Sequence, residues 1–289
     1  MIDKPVGFTS HDVVAKMRRI LRTKRIGHTG TLDPFATGLL VTLVGKATRL
    51  AQFLDKDEKA YDAEVCFGFE TDTGDRTGEP KSDRSKGTSE RLKTIEWEKV
   101  LSKFRGKLLQ TPPMYSAKKV DGKKLYELAR EGIEIERKPV EITINELQIS
   151  DTKDVTANMH VRCSAGTFIR TLAEEIGKEI GIGAHLSELR RIAAGAFGIE
   201  NAVSLEELDA LEDPYSRIIS MNEAVGHLPS IELSEDRIGK TLSGLSTRVQ
   251  RNDLGSGDPI RMIDSAGGLI AIGIFNAEEN IVQPKIVLG

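Results

Sequence analysis

The stretch Gly27-His28-Thr29-Gly30-Thr31-Leu32-Asp33-Pro34-Phe35-Ala36-Thr37-Gly38-Leu39-Leu40 decides the reading of this chain. It sets one carboxylate, Asp33, among small, hydroxyl-bearing and apolar residues, with no second acid close by and no metal-ligand spacing around it. A residue before proline is pushed out of the α region, so Asp33 is expected on a shaped loop and not on a helix face. A carboxylate placed this way is either a turn residue or a nucleophile. Downstream, the apolar run 39–44 closed by Gly45 predicts a buried strand leaving the loop. Upstream, Thr9-Ser10 predicts a helix start with Asp12 as capping-box partner. Val13, Val14, Met17, Ile20 and Leu21 then recur at helical spacing, and Lys16, Arg18, Arg19 and Arg22 fall on the exposed side. A basic, one-sided helix therefore leads into the Asp33 loop.

Further along, 47–54 reads as a short helix. Residues 61–67 alternate, with Tyr61, Ala63, Val65 and Phe67 on one face and Asp62 and Glu64 on the other, which predicts a half-buried strand. Polar residues 70–93 predict a mobile loop. Thr94 is expected to cap a helix over 95–105 that carries Trp97, Val100, Leu101 and Phe104. Pro112-Pro113, Asp121-Gly122 and Lys118, Lys119, Lys123 and Lys124 predict an exposed loop or hairpin over 106–124, followed by a helix over 125–131 that ends at Gly132. Strands are expected at 139–149 and 155–164, and an amphipathic helix at 168–180 opened by Gly166-Thr167. Residues 200–236 read as an acidic connector containing a helix. The tail 237–289 is glycine-rich, and its short apolar runs predict a small β-barrel. There is no repeat and no Rossmann or Walker glycine pattern, so a nucleotide cofactor is not indicated.

A length of 289 residues suits one large domain plus a small one. Composition is that of an ordinary soluble globular chain, without an apolar run long enough for a membrane span or a signal-peptide core. Cys66 and Cys163 lie in strand-like runs, which suits buried free thiols and a reducing cytoplasm. The histidines are scattered, so a zinc site is not expected. Net charge is −3, but it is unevenly spread. Residues 1–50 hold nine Lys/Arg against three acids, 101–140 ten against five, and 200–236 one against ten. Two basic surfaces are thus compatible with an acidic total, and local field is what a phosphate backbone feels.

Judged singly, each candidate has a plain explanation. Asp33-Pro34 is a common turn pair. Arg170 with Glu174 at i+4 reads as a surface ion pair. Tyr61 reads as core, and Lys4-Pro5 as an entry turn. In order, however, Asp3-Lys4-Pro5-x-Gly7-x-Thr9-Ser10, the 27–40 block, Lys59-x-Tyr61, Pro112-Pro113-x-Tyr115-Ser116-Ala117, Cys163-Ser-Ala-Gly-Thr-Phe-Ile-Arg170 and His185-Leu-x-x-Leu189-Arg190-Arg191 form a series. That series resembles the bacterial TruB family of tRNA pseudouridine synthases over essentially the whole chain, and the His-Thr-Gly-Thr-Leu-Asp-Pro block is its most specific part. The chain begins almost at the Asp-Lys-Pro motif, a departure that bears on the packing of Lys4.

The resemblance implies an α+β fold with a mixed, largely antiparallel central sheet flanked by helices, and a C-terminal PUA-like small β-barrel. It implies a catalytic domain over 1–225 with a thumb-like insertion at about 106–138, and a PUA-like RNA-binding domain over 226–289. Asp33 matches the family's catalytic aspartate, Tyr61 the tyrosine that stacks on the target base, and Arg170 the arginine that pairs with the aspartate. Leu189 matches the apolar lining of the uracil pocket. His28 resembles the histidine that fills the space left by the flipped nucleotide, and Lys4 and Pro5 the pair that supports the active-site loop. The implied partner is tRNA through its T-arm stem-loop, without guide RNA, membrane or cofactor. Burial near Leu32, Phe35 and Leu39 is expected to raise the Asp33 pKa, and a nearby guanidinium to oppose that. Two other readings compete: an RNA-folding factor, and a guide-dependent subunit.

Overall fold

The strand that carries Tyr61 is the middle of the molecule. A computed structural model describes residues 1–83, 85–116, 119–120 and 122–289, with the side chains of residues 119, 120, 123, 124, 126 and 130 outside that description. Lys59–Phe67 lies between Ala184–Ala194 and Thr156–Cys163, antiparallel to both. The sheet continues through Val140–Lys153 to Gly106–Gln110 on one side, and through Thr37–Val44 to Ile2–Lys4 on the other. Ile26–Thr29 adds to Thr37–Val44. One pair is parallel, with Arg190 opposite Thr37 and Arg191 opposite Gly38, so the sheet is mixed and largely antiparallel.

The alternation in sequence becomes two different faces. Val65, Phe67, Met159, Val161 and Leu186 pack with Ile169, Leu172 and Ile176 of the helix Ile169–Glu179, and Leu92 and Leu101 close the same core. A second core joins the helix Ser10–Ile20 to Ile2, Leu40 and Val203. The expected capping box is present: the Asp12 amide donates to Thr9 Oγ1 at 3.1 Å, and the Thr9 amide to Asp12 Oδ2 at 2.8 Å. Ile2 and Lys4 are both buried in the strand Ile2–Lys4, so the first strand is packed despite its brevity.

Several local expectations are corrected. Within 70–93, residues 88–93 form a helix, and 71–77 is a hydrogen-bonded turn against Leu186. Thr94 does not open the next helix. It closes Thr88–Lys93, donating its hydroxyl to Arg91 O at 2.8 Å. The helix that follows is Trp97–Leu101, continued as a 3₁₀ turn over Ser102–Phe104. The 47–54 region splits into a 3₁₀ helix, Gly45–Leu50, and Ala51–Leu54. The acidic connector is more than a link: Leu205 and Leu208 of the helix Leu205–Ala210 pack against the basic helix, and Glu206 pairs with Lys16 at 2.9 Å. Lys16 is therefore not a free cation. Lys118 and the side chains of Lys119, Lys123 and Lys124 lie outside the described residues.

The C-terminal segment forms a five-stranded half-barrel sheet, ordered Ser230–Glu232, Pro259–Ile263, Leu269–Asn276, Ile281–Val287 and Thr247–Arg248. Its own core holds Leu233, Ile260, Met262, Phe275 and Val282. It docks on the main body where Leu269, Ile272, Ile286 and Leu288 meet Leu43, Leu50 and Leu54. Among the described residues no helix is long and apolar enough to cross a membrane.

Candidate active site

Asp33 sits at the start of a turn, with the Ala36 amide donating to its carbonyl at 3.1 Å and Pro34 fixing the next φ. The loop is pinned from several sides. Ser10, buried at the head of its helix, accepts from the Leu32 amide at 2.9 Å and donates back to Leu32 O at 3.3 Å. The Gly7 amide donates to Pro34 O at 2.8 Å. The Lys4 ammonium is fully buried and donates to Phe8 O at 2.6 Å, Pro5 O at 2.9 Å and Pro34 O at 3.5 Å. Lys4 and Gly7 thus tie the entry turn to Pro34 of the Asp33 loop. Gly38 has φ +98°, and a Cβ there would lie 2.3 Å from Arg191 O, so the strand leaving the loop demands glycine.

The structure brings Arg170 to Asp33. Arg170 Nε lies 2.9 Å from Asp33 Oδ2, with the arginine side chain 6% exposed and the aspartate 36%. Both terminal nitrogens of the guanidinium are engaged as well. Nη1 donates to Thr73 O at 2.6 Å and lies 3.6 Å from Asp75 Oδ2, and Nη2 donates to Tyr115 O at 2.6 Å. Glu174, the i+4 neighbour, faces Lys81 at 3.8 Å instead. Burial pushes the Asp33 carboxyl up, and Arg170 is the largest force holding it down, helped by Lys4, while Asp75 adds to the rise. Lys4 is in turn lowered to about 8, first by burial.

Tyr61 and Leu189 lie on the same face of adjacent strands. Tyr61 is opposite Arg191, and Leu189 is opposite Ala63, so both side chains join the core that also holds Leu32 and Phe35 of the Asp33 loop. Both are buried, at 9% and 7% exposure. Burial raises the Tyr61 pKa, and the Arg191 guanidinium is the main opposing group. His28 stands on Ile26–Thr29 opposite Thr42. Among the described residues its buried Nδ1 has no hydrogen-bond partner, and burial together with His11 and Arg191 lowers its pKa.

Three contributors were missed by sequence reasoning. Asp75 is buried, its Oδ1 receiving the Thr73 hydroxyl at 3.0 Å and the Thr77 amide at 2.9 Å. The available signal was an aspartate spaced between threonines in Thr71-Asp72-Thr73-Gly74-Asp75-Arg76-Thr77, a pattern of side chain-to-backbone turns. Gln110 is buried and clamps Phe168, the residue before the Arg170 helix: Nε2 donates to Phe168 O at 3.1 Å, and Oε1 accepts from its amide at 2.8 Å. Arg191 is the third, and its neighbour Arg190 points the other way to Asp3.

An aspartate and a guanidinium at ion-pair distance, with an aromatic and an aliphatic side chain in the core that the loop shares, can hold a flat base next to a nucleophilic carboxylate. A family model described as the TruB family pseudouridylate synthase N-terminal domain matches residues 18–169, and one described as the tRNA pseudouridylate synthase B C-terminal domain matches 170–223. The class is therefore pseudouridine synthase, an isomerase. The tRNA pseudouridine synthase B of Solibacter usitatus is 40% identical over 100% of this chain and 98% of its own length. That of Bacillus subtilis is 40% identical over 100% and 96%, and that of Heliobacterium modesticaldum 42% over 98% and 93%. The chain belongs to the TruB family. Among solved structures, a Cbf5-Nop10-Gar1 complex superposes with a TM-score of 0.74 at 26% identity, covering 100% of this chain and 84% of that one. An H/ACA ribonucleoprotein bound to a substrate RNA containing 2′-deoxyuridine has the same fold, with a TM-score of 0.73.

Proposed function

We propose that this protein isomerises uridine to pseudouridine at position 55 in the T-loop of tRNA, with Asp33 as nucleophile on a flipped-out uridine. The observation that carries this is the 2.9 Å pair between Asp33 and a guanidinium that two backbone carbonyls also hold in place. An arginine held that way opposes the rise that burial imposes on the carboxyl, and unlike lysine it does not lose its charge when desolvated.

The reaction breaks N1–C1′, turns the uracil, and joins C5 to C1′. It needs no redox partner and no added group, so the reading calls for no cofactor. Extruding the uridine costs a few kcal/mol, and stacking on an aromatic returns roughly 1–3 kcal/mol. Tyr61 supplies that face and Leu189 the apolar wall. The unpartnered ring nitrogen of His28, kept neutral by burial, suits a side chain that fills the gap left in the RNA. Arg19 and Arg22, exposed on and just after the basic helix, suit backbone phosphates.

In this reading residues 1–225 act as the catalytic domain, with about 106–138 as a thumb over the T-arm, and 226–289 as a PUA-like RNA-binding domain. The Arg170 contact to Tyr115 O ties the thumb root to the ion pair. The enzyme acts without guide RNA in the cytoplasm.

A T-arm stem-loop tritiated at uracil C5 tests this. Wild type should release tritium without guide RNA or added metal, and Asp33→Asn should bring release to background while RNA binding persists. Release that survives Asp33→Asn removes the nucleophile assignment. No release from bare RNA would favour a guide-dependent subunit, and tRNA refolding untouched by Asp33→Asn would add a folding role.

A further inference from the structure

Among the described residues Arg191 is the largest fully buried side chain, at 1% exposure. Among the described residues its hydrogen-bond partners are two backbone carbonyls, not a carboxylate. Nε donates to Leu39 O at 2.7 Å and Nη2 to Gly30 O at 3.1 Å, and the residue directly across the strand pair is Tyr61. A buried cation without a counter-charge costs several kcal/mol, so it is kept where a negative charge arises or where geometry depends on it.

Its place in the sheet is specific. Arg191 is the direct cross-strand partner of Tyr61 on one side and of Gly38 on the other. It therefore bridges the strand of the tyrosine and the strand that leaves the Asp33 loop. A Cβ on Gly30 would sit 3.2 Å from Arg191 Nη1, so the loop glycine is shaped to admit the guanidinium. The ammonium of Lys59, also buried, is spent on the carbonyls of Asp55 and Asp57.

We propose that Arg191 is the positioning residue that lets the Tyr61 oxygen alternate between phenol and phenolate during the isomerisation. This rests on the function proposed above. Across the whole reaction one hydrogen leaves C5 and one arrives at N1. The Tyr61 oxygen balances this alone: its O–H bond breaks as N1 of the detached uracil gains the proton, leaving a phenolate. Once C5–C1′ has formed, the C5–H bond breaks, its electron pair restores the C5–C6 double bond, and the proton returns the phenolate to phenol. The phenolate is the charge that Arg191 awaits. The other groups facing Tyr61, namely Cys163 and Asp33, both disfavour its ionisation, and the surrounding burial does so most strongly. Arg191 is the main group opposing them.

The test uses full-length wild type, Arg191→Met, Arg191→Lys and Tyr61→Phe in single turnover on T-arm RNA with protium or deuterium at the target C5. Arg191→Met should slow product formation by roughly 100-fold or more, with a C5 isotope effect larger than that of wild type and RNA binding retained. Arg191→Lys, which keeps the charge but not the three-way reach, should fall between. Slowing with an unchanged isotope effect, or no slowing, overturns the proposal. If Arg191→Met does not fold, Arg191→Lys decides by the same two readings. Full activity of Tyr61→Phe would instead overturn the underlying reading of the site.

Discussion

Arg190 and Arg191 are neighbours on one strand and lead opposite lives. Arg190 points to the outer side, 42% exposed, and holds Asp3 through two contacts of 2.6 and 3.0 Å. Arg191 points inward and has carbonyls and a phenol for company. The contrast extends along the sheet. On the outer face Arg162 pairs with Glu58 at 2.6 Å and His160 with Asp62 at 2.7 Å, all in reach of water. On the inner face Arg170 is 6% exposed and meets two carboxylates and two carbonyls. Outer pairs are screened and contribute little, whereas inner charges act through a low dielectric, where position decides their effect.

The sharpest way to break the comparison is Arg170→Lys. A lysine carries the same charge but is a point donor, unable to reach Asp33, Thr73 O and Tyr115 O together. Single-turnover isomerisation should fall by at least about 100-fold, with RNA binding largely kept. Because this substitution disturbs the nucleophile, its C5 isotope effect should not exceed that of wild type, unlike that of Arg191→Met. Near-normal turnover would mean that the fork geometry of Arg170 is not used.

Much of this was legible before any coordinates. The Thr9/Asp12 box, the 61–67 alternation and the apolar face of the Arg170 helix are local patterns, and local patterns survive folding. Asp33 was visible as an odd carboxylate, though its job as turn or nucleophile was not. Burial of a charge was not legible at all. Arg190-Arg191 reads as two basic residues, and period two says they oppose each other without saying which side is covered. Asp75 was hidden because its surroundings from 70 to 91 are polar, and polarity looks the same in a mobile loop as in a turn folded onto Arg170. Gln110 acts on Phe168, 58 positions away in sequence, a contact that only topology creates.

A middle-sized effect is expected at Lys4, an inner charge whose role is structural support. Burial lowers its pKa from 10.5 to about 8, against the pull of Asp33 and Asp12. Between those two values the unfolded chain binds this proton and the native state does not, so this group makes stability rise with pH across that window. Lys4→Met removes that rise and leaves three carbonyls without their donor. Urea midpoints measured near pH 7.5 and pH 10 should show the advantage of wild type over Lys4→Met growing by at least about 1 kcal/mol. Parallel pH dependence in the two proteins would mean that Lys4 is not strained in the native state.

The smallest effect belongs to Arg190→Ala. It removes a two-pronged pair with Asp3, but both side chains are a third or more exposed, at 42% and 34%. Such pairs contribute about 0–1 kcal/mol, since solvent and salt screen the attraction and the long side chain gives up rotamer freedom. Arg190 also lies 3.5 Å from Thr37 Oγ1 at the end of the Asp33 block, so a slight loosening of that loop is expected. Thermal unfolding should shift by a few degrees at most for a chain of this size, and the C5 isotope effect should match wild type. If Arg190→Ala instead reproduces the slowing and the isotope effect of Arg191→Met, the sheet's two faces are not functionally distinct. The Arg191 effect would then belong to the strand as a whole and not to the one guanidinium beside Tyr61.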